Sequence, residues 1–478
     1  MKYEAVIGLE VHVQIRTNSK MFCSCPNRYG EEPNTLVCPV CMGYPGVLPV
    51  PNREAIRKTM IAGLLTNCTI AKFSKFDRKS YFYPDMPKNY QISQYDLPFC
   101  EHGYIAIGGT GFSGAPLPEQ KIGITRIHLE EDVAKLTHFG NASGVDYNRA
   151  GVPLMETVSD PDMHSADAAY AYLSALKEIM EFGDISDCDA EKGQIRCDVN
   201  ISLRPAGSKT FGTKIEIKNL NSFRAVHRAI DYEIERQAEI LDNGGSLRQE
   251  TRGWNDDHGE TYLMRTKEEA HDYRYFPDPD LMPVVTTEEE IEALRAALPE
   301  LPSAKRRRFV ADYDLTEYDA EVLTQDRDLA AYFDEAAKAT KNPKIAANWI
   351  LSELLRELGN ASISIKECKI KAEDLGSLID LIENKTINGK IAKDVFAVMF
   401  AEGKAPALIV KEKGLVQVSD AGAIAAFVDQ AIAANPAQVE QYRSGNERVI
   451  QFMVGQVMKL SKGKANPQMV LALLKEKL

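Results

Sequence analysis

Two stretches of strict alternation limit what this chain can fold into. In the first, Ile7, Leu9, Val11, Val13 and Ile15 alternate with Gly8, Glu10, His12 and Gln14. That is the pattern of a strand with one buried face. Residues 194–203 repeat it, with Ile195, Cys197, Val199, Ile201 and Leu203 set against Gln194, Arg196, Asp198, Asn200 and Ser202. Residues 213–218 continue in the same style, opposing Ile215 and Ile217 to Lys214, Glu216 and Lys218. Half-polar strands suit an antiparallel or mixed sheet with one open face and exclude a doubly wound parallel sheet, whose strands are apolar on both sides.

Helices interrupt these strands. Asn52 caps one running to about Thr66, Ser165 caps a second ending near Gly183, and Ser222 caps a third closed by Asn243-Gly244-Gly245. From about Thr287 the texture changes to helical periodicity, broken by Gly, Pro or Asn near 299–302, 342–343, 359–360, 386–389 and 435–436. Short helices joined by short loops predict bundles. The fold class is therefore α+β, a sheet-based first part followed by all-α parts. A length of 478 residues leaves room for two to four domains.

The net charge of −12 argues against general nucleic-acid binding, but residues 441–478 carry seven Lys and Arg (Arg443, Arg448, Lys459, Lys462, Lys464, Lys475, Lys477) against Glu447 and Glu476. A basic end on an acidic body leaves room for local phosphate contacts. Val449, Phe452, Met453, Val457 and Leu460, with Val470, Leu471, Leu473 and Leu474, predict inward helix faces there. No run approaches the ~20 apolar residues of a membrane span, and the start lacks a signal-peptide layout. With nine cysteines, four of them in metal-type spacing, a cytoplasmic location is expected.

Residues 109–114 match GxGxxG, but Pro116 and Pro118 follow where a dinucleotide site needs a helix N-terminus, so a hairpin loop is the better reading. No phosphate-binding P-loop occurs. Cys23-Ser-Cys25 and Cys38-Pro-Val-Cys41 supply four thiolates in two close pairs, a set suited to structural Zn²⁺, with Gly43 permitting the tight turn. Glu10 and His12, two apart on one strand, emerge roughly 7 Å apart on one side and can share a cation. Further acids stand at Glu130, Glu131, Asp132 and Glu156. Residues 72–94 interleave bases with aromatics, which fits either phosphate-and-base contacts or, more simply, an amphipathic surface segment.

Several motifs occur together: residues 6–13 (VIGLEVHV), 44–49 (YPGVLP), 75–79 (KFDRK), 81–85 (YFYPD), 91–94 (QISQ), 146–156 (DYNRAGVPLME), 196–200 (RCDVN) and 272–278 (DYRYFPD). In this order they closely resemble the GatB family, the B subunit of the bacterial aspartyl/glutamyl-tRNA amidotransferases, and the resemblance runs to residues 464–468 (KANPQ). It implies an ATP-dependent enzyme subunit that activates the side-chain carboxylate of Glu-tRNA(Gln) or Asp-tRNA(Asn) and amidates it. It also implies a heterotrimer with an amidase subunit, which releases ammonia from glutamine, and a small third subunit.

Three regions follow from the same resemblance: a cradle over 1–293 containing the zinc-binding loop 23–41, a helical domain over 294–405, and a tRNA-binding tail over 406–478. The implied Mg²⁺ ligands are Glu10, His12, Glu131 and Glu156, with Lys79 and Lys88 on the path by which ammonia approaches. Arg196, Asp198 and Asn200 share a strand face and are expected to contact the nucleotide or the acyl end. The alternation slips near Thr125-Arg126, so parity does not choose between Glu130 and Glu131; the family pattern favours Glu131. The alternative is a noncatalytic, zinc-bearing tRNA scaffold; a more remote one is a ligase acting on a free small carboxylate. Convergent carboxylates would speak for the enzyme.

Overall fold

The computed structural model describes residues 2–266, 272–415, 421–461 and 465–478. The chain divides into two compact units, Met1–Leu301 and Pro302–Leu478.

The first unit is built on nine strands: β1 (Tyr3–Gln14), β2 (Thr69–Ile70), β6 (Cys100–Thr110), β7 (Pro116–Glu131), β10 (Pro153–Ser159), β11 (Ile195–Pro205), β12 (Ile215–Leu220), β13 (Glu250–Asn255) and β14 (Glu260–Thr266). Their order is β14-β13-β12-β11-β1-β10-β7-β6-β2, antiparallel throughout except for the parallel β12/β13 pair. The expected mixed sheet is therefore present, with the first alternating strand at its centre. Smaller sheets join β3 (Phe73–Ser74) to β16 (Val284–Val285), β8 (Lys135–Phe139) to β9 (Ala142–Asp146), and β4 (Asp77–Ser80) to β5 (Tyr90–Ser93) and β15 (Phe276–Pro277).

The helices α1 (Arg53–Leu65), α2 (Ala166–Phe182) and α3 (Phe223–Asp242) start at the expected caps, where Asn52, Ser165 and Ser222 side chains accept backbone N–H groups. They share one core with the apolar residues of β1 and β11: Ile7, Leu9, Val11, Val199 and Ile201 are buried with Tyr172, Leu173, Val226 and Ile230. One-sided coverage leaves the alternate residues of the central strands on the opposite face, and that face carries the site. Residues 109–114 form the expected hairpin between β6 and β7 rather than a dinucleotide loop. The helix α4 (Glu288–Ala296) packs Ile291 and Leu294 on this core, followed by Leu298 and Leu301, so residue 293 lies inside an element of the first unit.

The second unit is helical. Phe309, Phe333, Leu354, Leu378 and Val395 form one core, which also takes Ile409 and Val410 of the helix Pro406–Glu412. A separate core joins the helices Ala421–Ala434, Pro436–Arg443, Val449–Leu460 and Pro467–Lys477 through Val428, Val439, Met453, Val457, Val470 and Leu474. The inward face of Val449–Leu460 is Ile450, Met453 and Val457; Phe452 and Leu460, expected inward, are exposed. The 3, 4 spacing of that seam turns Phe452 about 100° away from it. No helix among the described residues is long and apolar enough to cross a membrane.

Candidate active site

The strand register brings the polar residues together. His12 lies opposite Glu156 on β10 and Arg196 on β11, while Glu10 lies opposite Asp198. Glu156 in turn lies opposite His128 on β7. The His12 Nε2 stands 3.1 Å from Glu156 Oε2 and 3.7 Å from Glu130 Oε1. On the far side, His128 Nε2 is 3.6 Å from both Glu130 Oε2 and Glu156 Oε2, and Ser93 Oγ donates to Glu130 Oε2.

Burial opposes charge in this cluster, but the opposite charges win. Desolvation would lower the His12 pKa, yet the hydrogen bond and charge of Glu156, with Glu130, raise it to about 9. Desolvation likewise pushes Glu156 and Glu130 upward, and the two histidines bring both below the usual carboxylate range. Lys79 faces the same carboxylates and lies 4.7 Å from the Tyr273 ring centroid; burial lowers its pKa, but Glu130 and Glu156 outweigh that and raise it.

A second carboxylate group adjoins the first along β1. Glu10, Asp198 and Glu216 offer oxygens within 4.8 Å of one another. Lys218 pairs with Asp198 and Glu216, and Asn200 Nδ2 donates to Glu10 Oε1 at 2.9 Å. Asn200 Oδ1 is buried without a hydrogen-bond partner among the described residues. Next to both groups lies Asp132, buried, accepting from Arg196 at 2.9 Å and Gln14 at 2.7 Å, with Arg149 at 3.8 Å. A cavity of about 260 Å³ is lined by His12, Lys79, Gln91, Glu130, Arg196 and Asp198. Arg196 also lines a larger cavity of about 1040 Å³ with Arg16, Lys135, Arg149 and Lys192.

The expected foursome Glu10, His12, Glu131 and Glu156 does not converge on one point. His12 and Glu156 meet Glu130, whereas Glu10 belongs to the neighbouring group with Asp198 and Glu216. Glu131 points to the other side of β7, where Lys88 pairs with it and the Ile92 N–H donates to it at 3.0 Å. The cause is a bulge: Arg126 pairs with Val158 but Ile124 pairs with Ser159, leaving Thr125 as an extra residue. After it Ile127 and Leu129 face the core, so His128 and Glu130 face the site. Lys79 is at the site; Lys88 is with Glu131.

The sequence of residues 5–292 matches the GatB/GatE catalytic domain, and residues 331–478 match the GatB domain. The B subunit of the aspartyl/glutamyl-tRNA(Asn/Gln) amidotransferase of Carboxydothermus hydrogenoformans is 55% identical, covering 100% of this chain and 99% of its own. That of Persephonella marina is 54% identical with the same coverage, and that of Caldanaerobacter subterraneus 53% with both chains fully covered. The chain belongs to the GatB family.

Within this GatB catalytic domain the four cysteines are positioned to hold a metal ion. The sulfurs of Cys23, Cys25, Cys38 and Cys41 lie within 4.8 Å of one another. The Sγ atoms of Cys38 and Cys41 are 3.9 Å apart, close to the ~3.8 Å edge of a tetrahedron with ~2.3 Å metal–sulfur bonds. The Cys41 pKa falls to about 4, because the Cys23 thiol, the Cys38 N–H and the Lys20 ammonium stabilise its thiolate more than burial opposes it. The bases of 72–94 are largely spent internally: Arg78 pairs with Asp278 and Asp280, and Lys75 with Asp77 and Asp96. His128, Glu130, Asp132, Glu216 and Lys218 complete the polar face. The apolar pair Ile127 and Leu129 is the sequence signal that identifies the first two.

Proposed function

We propose that this chain is the subunit of a glutamine-dependent tRNA amidotransferase that carries out activation and amidation of the acyl group. The observation that carries the reading is the pair of carboxylate groups on one sheet face, flanked by Lys79 and Arg196, in a GatB catalytic domain. A pure phosphate binder has no use for carboxylates that converge. The substrates are Glu-tRNA(Gln), Asp-tRNA(Asn) or both, and the partners are an amidase subunit and a small third subunit.

A carboxylate is a poor acyl donor because its leaving group would be oxide. Transfer of the γ-phosphoryl group of ATP to it forms an acyl phosphate, and ammonia then displaces phosphate. In this reading Lys79 and Arg196 offset the charge spread over the transferring phosphoryl oxygens. Glu10, Asp198 and Glu216, an all-oxygen set beside the unpartnered Asn200 Oδ1, suit Mg²⁺. His12, Glu130 and Glu156 form a mixed set for a second divalent ion. Bound there, such ions would supply charge neutralisation at the phosphates. The larger cavity, lined by six cationic and four acidic side chains, is of a size to take the nucleotide or the acylated 3′ end.

Lys88 and Glu131, on the other side of β7, stand on the ammonia path, where a carboxylate can strip a proton from any ammonium that enters. The four cysteines hold structural Zn²⁺. The regions 1–293, 294–405 and 406–478 act as cradle, helical domain and tRNA-binding tail. Deciding the reading takes the reconstituted complex, labelled Glu-tRNA(Gln) and Asp-tRNA(Asn), and reactions with and without ATP. ATP-dependent Gln-tRNA(Gln) or Asn-tRNA(Asn) is the expected product. Tight tRNA binding with no ATP-dependent product would instead favour the scaffold.

A further inference from the structure

The turn that follows the second cysteine pair is packed against Lys88. Gly43 has φ +68°, and a Cβ there would lie 2.6 Å from Lys88 Cγ and 3.0 Å from its Cα. Only a residue without a side chain lets the two backbones approach so closely. Lys88 is itself held at the other end, by the Glu131 carboxylate, and 9% of its side chain and 3% of Glu131's is exposed. Gly151, φ +85°, is wedged between the same groups: a Cβ on it would lie 3.5 Å from Cys41 Cβ and Lys20 Cδ and 3.8 Å from Glu131 Oε2.

What space remains is a cavity of about 20 Å³ lined by Cys23, Cys41, Lys88, Ile92, Glu131 and Gly151, room for about one water molecule. Lys20, fully buried, places its ammonium 3.8 Å from Cys41 Sγ and 3.2 Å from the Tyr147 carbonyl. The cysteine loop and the Lys88–Glu131 pair are thus one packed body.

We propose that the four-cysteine loop is a positioning element for the Lys88–Glu131 pair. With a metal ion closing the thiolates, the turn at Cys38–Cys41 holds Gly43 against the Lys88 stem and fixes the ammonium on Glu131. The ion ties the 23–25 arm to the 38–41 arm; without it thiol contacts and single hydrogen bonds are left to hold the turn. Gly43 is then a positioning residue, and Lys20 the counter-cation of the thiolate cluster. The inference rests on the zinc and ammonia-path readings above.

Its test reads Lys88 directly. The full-length chain in its complex is pulsed with acetic anhydride, and each lysine is quantified by mass spectrometry. Gly46→Ala is the control, because Gly46 also has a positive φ, +88°, in the same loop but, its chain neighbours aside, no atom of the described residues within 4 Å of its Cβ position. Lys58, whose side chain is 6% exposed, reports loss of the fold as a whole.

Lys88 should be protected in the parent and in Gly46→Ala. It should be acylated about tenfold faster or more in Gly43→Ala and in chelated parent, with Lys58 still protected, as for a local opening. Gly43→Ala should retain one zinc per chain yet lose roughly tenfold in glutamine-driven amidation relative to Gly46→Ala, the scale of a small misplacement at a working group. Parent-like protection of Lys88 in Gly43→Ala would overturn the proposal. Should that variant not fold, chelated parent decides: Lys88 still protected there overturns it, and Lys88 exposed with Lys58 protected supports it. A parent complex without ATP-dependent amidation would remove the functional reading and leave the labelling comparison intact.

Discussion

His12 Nε2 stands 3.1 Å from Glu156 Oε2 across directly paired positions of β1 and β10. Two strands that are far apart in sequence thus present an imidazole and a carboxylate as one unit, with Glu130 as its third member. Replacing Glu130 or Glu156 by Gln removes a charge without removing volume. Each should lower ATP-dependent amidation ~10²-fold or more, the cost of lost transition-state charge stabilisation, while glutamine hydrolysis by the partner survives at least partly. Glu131→Gln should spare acyl phosphorylation and impair the ammonia-dependent half. Parallel assays of ADP release and amide formation separate the two, and equal losses at both steps in Glu131→Gln would contradict the assignment.

Asp132 gives a pH prediction. It is buried, and although desolvation raises its pKa, Arg196, Arg149 and Gln14 bring it below the ordinary carboxylate value. A depressed folded-state pKa means stability that is fully present above the unfolded pKa, ~3.9, and is lost as pH falls through the folded value. Asp132→Asn should therefore cost roughly 3 kcal/mol at neutral pH, the low end for breaking a buried pair because both arginines keep some exposure. The gap between variant and parent should begin to narrow below about pH 4 and close only as pH falls through the lower folded-state value. Denaturant melts at pH 7 and pH 3 measure both; a gap that stays constant would show that the ion pair is not its source.

For the cysteines, one zinc per chain is expected, with Cys38→Ser/Cys41→Ser losing the metal. Most of the loop 19–50 has no strand or helix of its own. The double variant should consequently melt earlier and lose solubility more than it loses acyl phosphorylation per folded molecule. Metal analysis of protein purified without chelator checks the stoichiometry, and four freely reactive thiols with no zinc would end the assignment.

In the tail, Lys477 pairs with Asp429 and Arg443 Nε donates to the Leu478 carbonyl. Arg448, Lys459 and Lys475 are exposed, while Lys462 and Lys464 lie outside the described residues. Replacing Arg448, Lys459 and Lys475 together by Ala should weaken tRNA binding and reduce the slope of log K against log salt by about two to three, near one per lost phosphate contact. Amidation at saturating tRNA should change much less. A parent-like salt slope would make this end a plain helical cap.

The sheet was legible because alternation survives in β1 and β11, where one face is apolar and the other polar apart from Val6 and Gly8. The caps of α1 to α3 were legible for a local reason, a single side chain satisfying free N–H groups. The site was legible only strand by strand. Glu10 and His12 share a face, yet which cluster each joins depends on partners more than 100 residues away. Periodicity within one strand carries no information on that. The inward face of Val449–Leu460 was misjudged because five apolar residues permit more than one seam, and packing selected Ile450, Met453 and Val457.

Beyond the extra residue Thr125, pairing with β10 gives the end of β7 something like a reading frame. Chemistry at the site depends on which of two adjacent glutamates points up, and that is set by the pairing of residues 126–131 with β10, not by the identity of Thr125. Swapping Thr125 for another polar residue keeps the frame. Deleting it would close the bulge and leave Arg126 opposite Val158 and Ile127 opposite Thr157, so Glu130 would still face His12 and Glu131 Lys88, with only His102 of β6 losing its opposite residue. A stretch that forgives most exchanges of its unpaired letter would thus forgive the omission of that letter too.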